Sequence, residues 1–301
     1  MIGVRRIPLL TASVIAALAV SASASAQGNS GNAPGKNKDK KGNAPSSTSL
    51  PPPASTITGS SPLSTATGAS PLSWVDDASL LEPGSAMLTV SAMRWAGSGI
   101  SEVDFPIVDA AVGLTKRVQF SATIPRVVGG ADTGIVGGLG TSYFSAKIAL
   151  IDDGKVRLAV SPLLEILGTG AVQALPEGDS RYQIGVPFSI DAGSGSVRVF
   201  AAAGFFTRGA WFAGGGTGVQ LSPSMGASLS FTRSWADSGF DGMPSDRNEV
   251  SGGVSYFLTP QIAVSGSLGH TIATAPENGA GLTVSGGVTF ILAPGSPATT
   301  K

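Results

Sequence analysis

Cysteine is missing from this chain, histidine occurs once (His270), charge is sparse, and no apolar run reaches the length of a membrane helix. Without cysteine there are no disulfides and no lipidated cysteine, which excludes a secreted disulfide scaffold and a lipoprotein anchor. A single histidine leaves no HExxH, CxxC or Cys-His couple, so the sequence offers no catalytic residue and no metal ligand set, and implies no cofactor. Charged residues make up 13% of the chain, against about 25% in ordinary soluble domains. The formal net charge is zero, which argues against nucleic acid as a partner. The lack of about 18 consecutive apolar residues excludes a helical inner-membrane protein.

Glycine, by contrast, supplies 42 of 301 residues, and the chain falls into unlike parts. Arg5 and Arg6, the apolar stretch from Leu9 to Val20 and the run SASASA ending at Ala26 have the layout of a cleavable secretory signal over residues 1–26. No polar residue precedes the arginine pair, so an ordinary export signal is favoured over a twin-arginine one. Residues 27–70 are rich in Pro, Ser, Gly and Lys and have little to bury, and are expected to be a disordered tether. Its cluster Lys36, Lys38, Lys40 and Lys41 reads most simply as solvated charge; contact with anionic lipid or cell-wall polymer is the alternative. Residues 71–84 join this tether to the strand-patterned region and are a candidate plug, and residues 292–301 are expected to be a disordered tail.

Between residues 85 and 291 apolar and small polar residues alternate in segments of roughly ten, the period of a strand with one face in lipid. About twelve strands are expected: 85–95, 103–114, 117–126, 140–151, 155–167, 181–191, 196–208, 210–221, 224–234, 249–258, 261–272 and 281–291. Short turns alternate with longer loops, the arrangement of an up-and-down antiparallel transmembrane β-barrel in a Gram-negative outer membrane, with both termini on the periplasmic side. The tight join near Gly209 breaks that alternation. In the fifth segment Val156, Leu158, Val160, Leu164 and Ile166 share one face, and Arg157, Ser161 and Glu165 the other. In the last, Leu282, Val284, Val288 and Phe290 oppose Thr283, Ser285, Gly287 and Thr289. A soluble sandwich would set Lys, Glu and Asp on its polar faces; here Ser, Thr and Gly dominate, which suits a narrow lumen. Aromatics fall at strand ends, Trp95, Phe105, Phe205, Trp211, Phe231 and Trp235 at the outer rim and Phe120, Tyr256 and Phe290 at the inner one, as expected of two interfacial girdles.

The stretches VDAAVGLTKRVQFSATIPRV (108–127) and GGLGTSYFSAKIALIDDGKVRLAVSP (137–162) resemble the outer-membrane channel family named after meta-pathway phenol degradation. The matching features are Gly113-Leu114-Thr115, Arg117, Pro125, Gly138 to Gly140 and Lys147; EPGSAMLTVS (82–91) is similar to that family's opening strand. The chain departs from it at Gly140-Thr141, where the family often has Gly-Asp. The resemblance covers the first five strands. It implies an outer-membrane barrel that moves small molecules, apolar ones among them, and it transfers no catalytic residues.

Ionisable side chains at membrane depth are costly unless they face water or one another, so Asp109, Lys147, Arg157, Glu165, Arg181, Arg198 and Arg208 are expected to line the pore. Two readings stay open: a filter with a slight basic excess, or pairs across neighbouring strands, for example Lys147 or Arg181 with Glu165, that hold the wall together. His270 shares parity with Ile262, Val264 and Leu268 and belongs on the lipid face. The stretches 193–196 and 214–218 lack the Lys-Ser/Thr ending of a phosphate loop and read as strand glycines. Asp76-Asp77 and Asp152-Asp153 fall in a linker and a turn, where adjacent side chains point apart. Asp237, Asp241, Asp246 and Glu249 do not have the spacing of a calcium loop and read as part of a solvated extracellular loop.

Together these features point to passive or facilitated passage of small molecules. The alternatives are a non-conducting barrel acting as anchor or adhesion module and, third, an outer-membrane lipid enzyme. Expected partners are outer-membrane lipid, the barrel-assembly machinery and an unidentified small solute.

Overall fold

The period-two pattern closes on itself. A computed structural model describes residues 77–97, 100–130, 135–153, 155–173, 180–207, 209–236, 246–275 and 280–292. The expected signal peptide, tether and most of the tail, and the candidate pore residue Arg208, lie outside the described residues.

The strands are β1 (Ala86–Gly97), β2 (Ile100–Thr115), β3 (Val118–Val128), β4 (Ser142–Asp152), β5 in two pieces (Val156–Val160 and Leu163–Ile166), β6 (Tyr182–Ser194), β7 (Val197–Phe206), β8 (Ala210–Ser222), β9 (Met225–Ala236), β10 (Asp246–Thr259), β11 (Ile262–Thr271) and β12 (Leu282–Leu292). Each pairs antiparallel with its neighbours in sequence, and β1 pairs with β12 from Ala86↔Leu292 to Ala96↔Leu282. The result is a closed twelve-stranded barrel. Closure matters because a backbone N–H or C=O left unpaired in hydrocarbon costs several kcal/mol, and a closed ring has no free edge.

Pro162 splits β5, which the sequence pattern reads as continuous. The wall stays closed there because Ser161 N donates to Pro187 O (2.8 Å) and Ala146 N donates to Pro162 O (3.0 Å). A two-residue strand, Gly138–Leu139, adds to β3, and a one-turn helix spans Thr169–Gln173.

Short turns gather at one rim. In the β4–β5 turn Asp153 Oδ1 accepts from Lys155 N (2.9 Å) and Val156 N (2.6 Å). These backbone bonds, that from Val156 first, hold the Asp153 carboxyl below the usual carboxylate range. The β6–β7 turn uses Gly195 at φ +60°. At the opposite, long-loop rim the β7–β8 connection is a tight hairpin. Gly209, at φ 78°, donates to Phe206 O (3.0 Å), so the irregular join read near Gly209 is a real feature of the wall.

The outward face carries Leu88, Val112, Phe120, Ile124, Leu150, Phe188, Leu229, Val254, Leu268 and Phe290, all exposed. Phe105, Phe205 and Trp211 at the long-loop rim, and Tyr256 at the other, are exposed with them, and Phe205 and Trp211 lie 5.3 Å apart. Trp95 departs from the expected girdle. It pairs with the buried Thr283 and shares the face of Met93 and Thr89, so it points into the lumen. His270 is exposed on the outward face, opposite Leu282 and Val250.

Inside, hydroxyls meet across strands: Ser121 with Ser145 (2.6 Å), Ser230 with Ser251 (2.7 Å), Ser267 with Ser285 (2.6 Å) and Thr89 with Thr289 (2.9 Å). Each such pair contributes about 1 kcal/mol net. An apolar cluster of Leu163, Ala202, Phe206, Ala210 and Phe212, with Tyr143 against it, fills part of the lumen near the long-loop rim.

Candidate functional site

The residues before β1 turn into the bore. Asp77, Ala78 and Ser79 are each 1% exposed and Leu81 4%. Leu81 packs on Met87, Ala111 and Ile291, with Phe257 beside them. The turn into β1 is held by Ser85 N donating to Glu82 O (2.9 Å), Gly84 N to Gly113 O (2.8 Å) and Gly113 N to Ser85 O (2.9 Å).

From β2 the segment passes along the inner wall strand by strand. Leu81 N donates to Gln119 Oε1 on β3 (2.7 Å), and Lys147 Nζ on β4 donates to the carbonyls of Asp77 (3.0 Å) and Ser79 (3.4 Å). The Asp77 carboxylate accepts from Ser79 N (2.8 Å) and from the Ser79 hydroxyl, and it forms an ion pair with Arg198 on β7. In the strand order β7 is six places from β1 in either direction, so Asp77 is fastened to the wall opposite the strand it precedes. Burial disfavours its charge, but Arg198, then Lys147, then the Ser79 bonds outweigh this together and hold the Asp77 carboxyl below the usual carboxylate range.

The network continues along the wall. Arg157 Nε donates to Asp191 Oδ1 (3.0 Å), and Arg198 Nη1 lies 3.9 Å from Asp191 Oδ2. A buried carboxylate flanked by two guanidiniums is tolerable where a lone one would not be.

The sequence-nominated residues fall into distinct groups. Lys147 and Arg198 meet through Asp77, and Arg157 joins them through Asp191. Asp109 accepts from Thr123 Oγ1 (2.6 Å), and the buried Glu165 from Gln183 Nε2 (2.7 Å). Arg181 is exposed beside the long-loop rim, its guanidinium 5.9 Å from the centre of the Tyr182 ring.

Other lumenal groups are not evident from the sequence pattern. Asp77 has the local sequence of a linker, and Asp191 sits at a strand end. Asp246 and Glu249 are corrections: both belong to β10, not to a solvated loop. Glu249 is 1% exposed and accepts from Arg247 Nη2 at 3.1 Å, with Arg247 itself 3% exposed. Near it on the long-loop half lie Thr283, Trp95, Glu102 and Asp104, which share the inward face through the pairs Trp95↔Thr283, Trp95↔Glu102 and Met93↔Asp104. Charge is therefore segregated along the bore. Among the described residues, Lys147, Arg157 and Arg198 lie at the short-turn end with Asp77 and Asp191, and Glu102, Asp104 and Glu249 outnumber Arg247 at the other.

A closed twelve-stranded barrel with an apolar outer face and a polar, ionisable lumen defines the outer-membrane type of β-barrel. An outer membrane channel of Pseudomonas putida F1 has this fold, with TM-score 0.52 and 13% identity over 70% of this chain and 97% of that one. The NanC porin aligns with TM-score 0.52 and 10% identity over 67% and 98% of the respective chains. The KdgM porin aligns with TM-score 0.50 and 8% identity over 68% and 98%. No family profile and no curated protein matches the sequence.

Proposed function

We propose that the protein is an outer-membrane channel for passive or facilitated passage of small solutes, with the long-loop rim outward and the short-turn rim in the periplasm. The observation that carries this reading is the concentration of ionisable and hydroxyl side chains on the inward face: Arg157, Asp191, Arg198, Arg247, Glu249 and the serine pairs. A barrel serving only as an anchor has no need to place charge where desolvation is costly. Outward-facing Arg94, Arg126 and Arg233 at the long-loop rim suit the anionic head groups of outer-membrane lipid. The N-terminal signal, the tether reaching towards cell-wall polymer and handling by the barrel-assembly machinery belong to the same reading. Asp77–Gly84 across the bore makes the resting channel closed.

The second reading is a non-conducting barrel, favoured by the same crossing segment together with the lumenal Phe206 and Phe212. Planar-bilayer recording of the refolded mature protein, alongside a chain beginning at Ser85, separates them. Discrete current steps, larger or more frequent after truncation, are expected. Silence in both, with folding shown by heat-modifiable gel mobility, would leave the anchor reading.

A further inference from the structure

The wall around Asp77 presents Lys147 and Arg198, and beside them Arg157 holds Asp191. Lys147 and Arg198 converge there on one short stretch of chain. What fills that place is a carboxylate of the chain itself, held by Arg198, with Lys147 5% exposed and donating to the backbone carbonyls of Asp77 and Ser79. The segment is thus bound as a ligand is bound: a carboxylate on a guanidinium, an ammonium on carbonyl oxygens, and Leu81 in an apolar recess.

We propose that Lys147 and Arg198, supported by Arg157, form a carboxylate-binding site at the short-turn mouth of the bore, that Asp77 occupies it as an internal ligand, and that small carboxylate solutes compete with Asp77 and free the Asp77–Ser79 end of the segment. The site rests on the channel reading only for its consequence, the opening of the bore. A tethered group competes at an effective concentration on the order of millimolar, so displacement falls in the millimolar range or above. Leu81 stays seated while the charged end leaves, which makes the closure reversible.

The absence of native cysteine makes this directly measurable. Ala78→Cys places one thiol at a buried position with no side-chain hydrogen bond to lose, and Ser79→Cys is a second reporter should the first disturb folding. The maleimide modification rate of the folded full-length mature protein is read in sodium chloride, sodium acetate, sodium succinate and sodium phosphate at equal ionic strength. Acetate and succinate are expected to speed modification at least tenfold over chloride. Asp77→Asn in the reporter chain is expected to be fast in every salt, and Arg198→Ala fast and unresponsive to carboxylate. A slow Asp77→Asn chain, or equal rates in carboxylate and chloride beside a fast Asp77→Asn chain, overturns the proposal. An equal response to phosphate overturns the carboxylate class in favour of a general anion site. Conductance of the same preparations is scored separately. A labelling response without current sinks the channel reading and keeps the site, while current without a labelling response does the reverse.

Discussion

Gly113 lies directly beneath the backbone of Glu82: a Cβ at Gly113 would stand 2.3 Å from the Glu82 carbonyl oxygen and 2.6 Å from that of Leu81. Both obstacles are backbone, so neither can swing aside as a flexible side chain would. The inward path of the N-terminal segment therefore depends on the missing side chain at this one position of β2.

Gly113→Ala is expected to lift the segment from the wall while the barrel itself folds. Overpacking of this kind costs roughly 1–3 kcal/mol, enough to accelerate thiol modification at an Ala78→Cys reporter about fivefold or more. An unchanged rate would mean that the segment shifts to accept the Cβ.

Arg157 and Asp191 are expected to be strongly coupled. Removing one partner of a buried pair costs about 3–5 kcal/mol, because the other is left uncompensated, and removing both is cheaper than the sum. Midpoints of heat-modifiable unfolding for Arg157→Ala, Asp191→Ala and the double variant give the coupling. Additive shifts would show that Arg198, 3.9 Å from Asp191, suffices without Arg157.

The long-loop half of the lumen is expected to favour cations. Glu102, Asp104 and Glu249 face inward there against Arg247, so Glu102→Gln with Asp104→Asn should lower the potassium-to-chloride permeability ratio towards one. Reversal potentials in a salt gradient measure it. A ratio that does not move would place the selective constriction elsewhere.

Acid is expected to loosen the segment, but only below the ordinary carboxylate range. Asp77 faces Arg198 and Lys147, with Asp191 beyond them. Its folded-state pKa is lowered, so the latch is complete above the pKa of an unfolded aspartate and is lost as pH falls through the lower, folded value. A spin label at position 78 should stay immobile through mildly acidic pH and become mobile only in stronger acid. Mobilisation near neutral pH would show that Asp77 is not the group that holds the segment.

Much of this architecture was legible in the chain. The strand period placed every wall strand to within a few residues, because a strand with one face in lipid must alternate and no other element does. Parity also put Arg157 and Glu165 on the inner face and His270 on the outer. It would have put Trp95 inside as well, since Trp95 shares parity with Thr89, but its position at a strand end suggested a girdle. Arg247 was hidden for a different reason. Its polar surroundings resemble a loop, so the expected strand opens at Glu249, whereas β10 begins at Asp246.

The amino-acid order alone determined that the chain is a lipid-facing barrel and which residues of each strand turn inward, because both derive from a period of two and the chemistry of the two sides. It could not decide which inward charges meet. Asp77 reaches Arg198 only because the ring closes between β1 and β12 and brings β7 opposite the point where the segment enters. Arg157 meets Asp191 only because the register of β5 on β6 sets them side by side. Such contacts depend on closure and stagger, which are properties of the whole sheet and of no single segment.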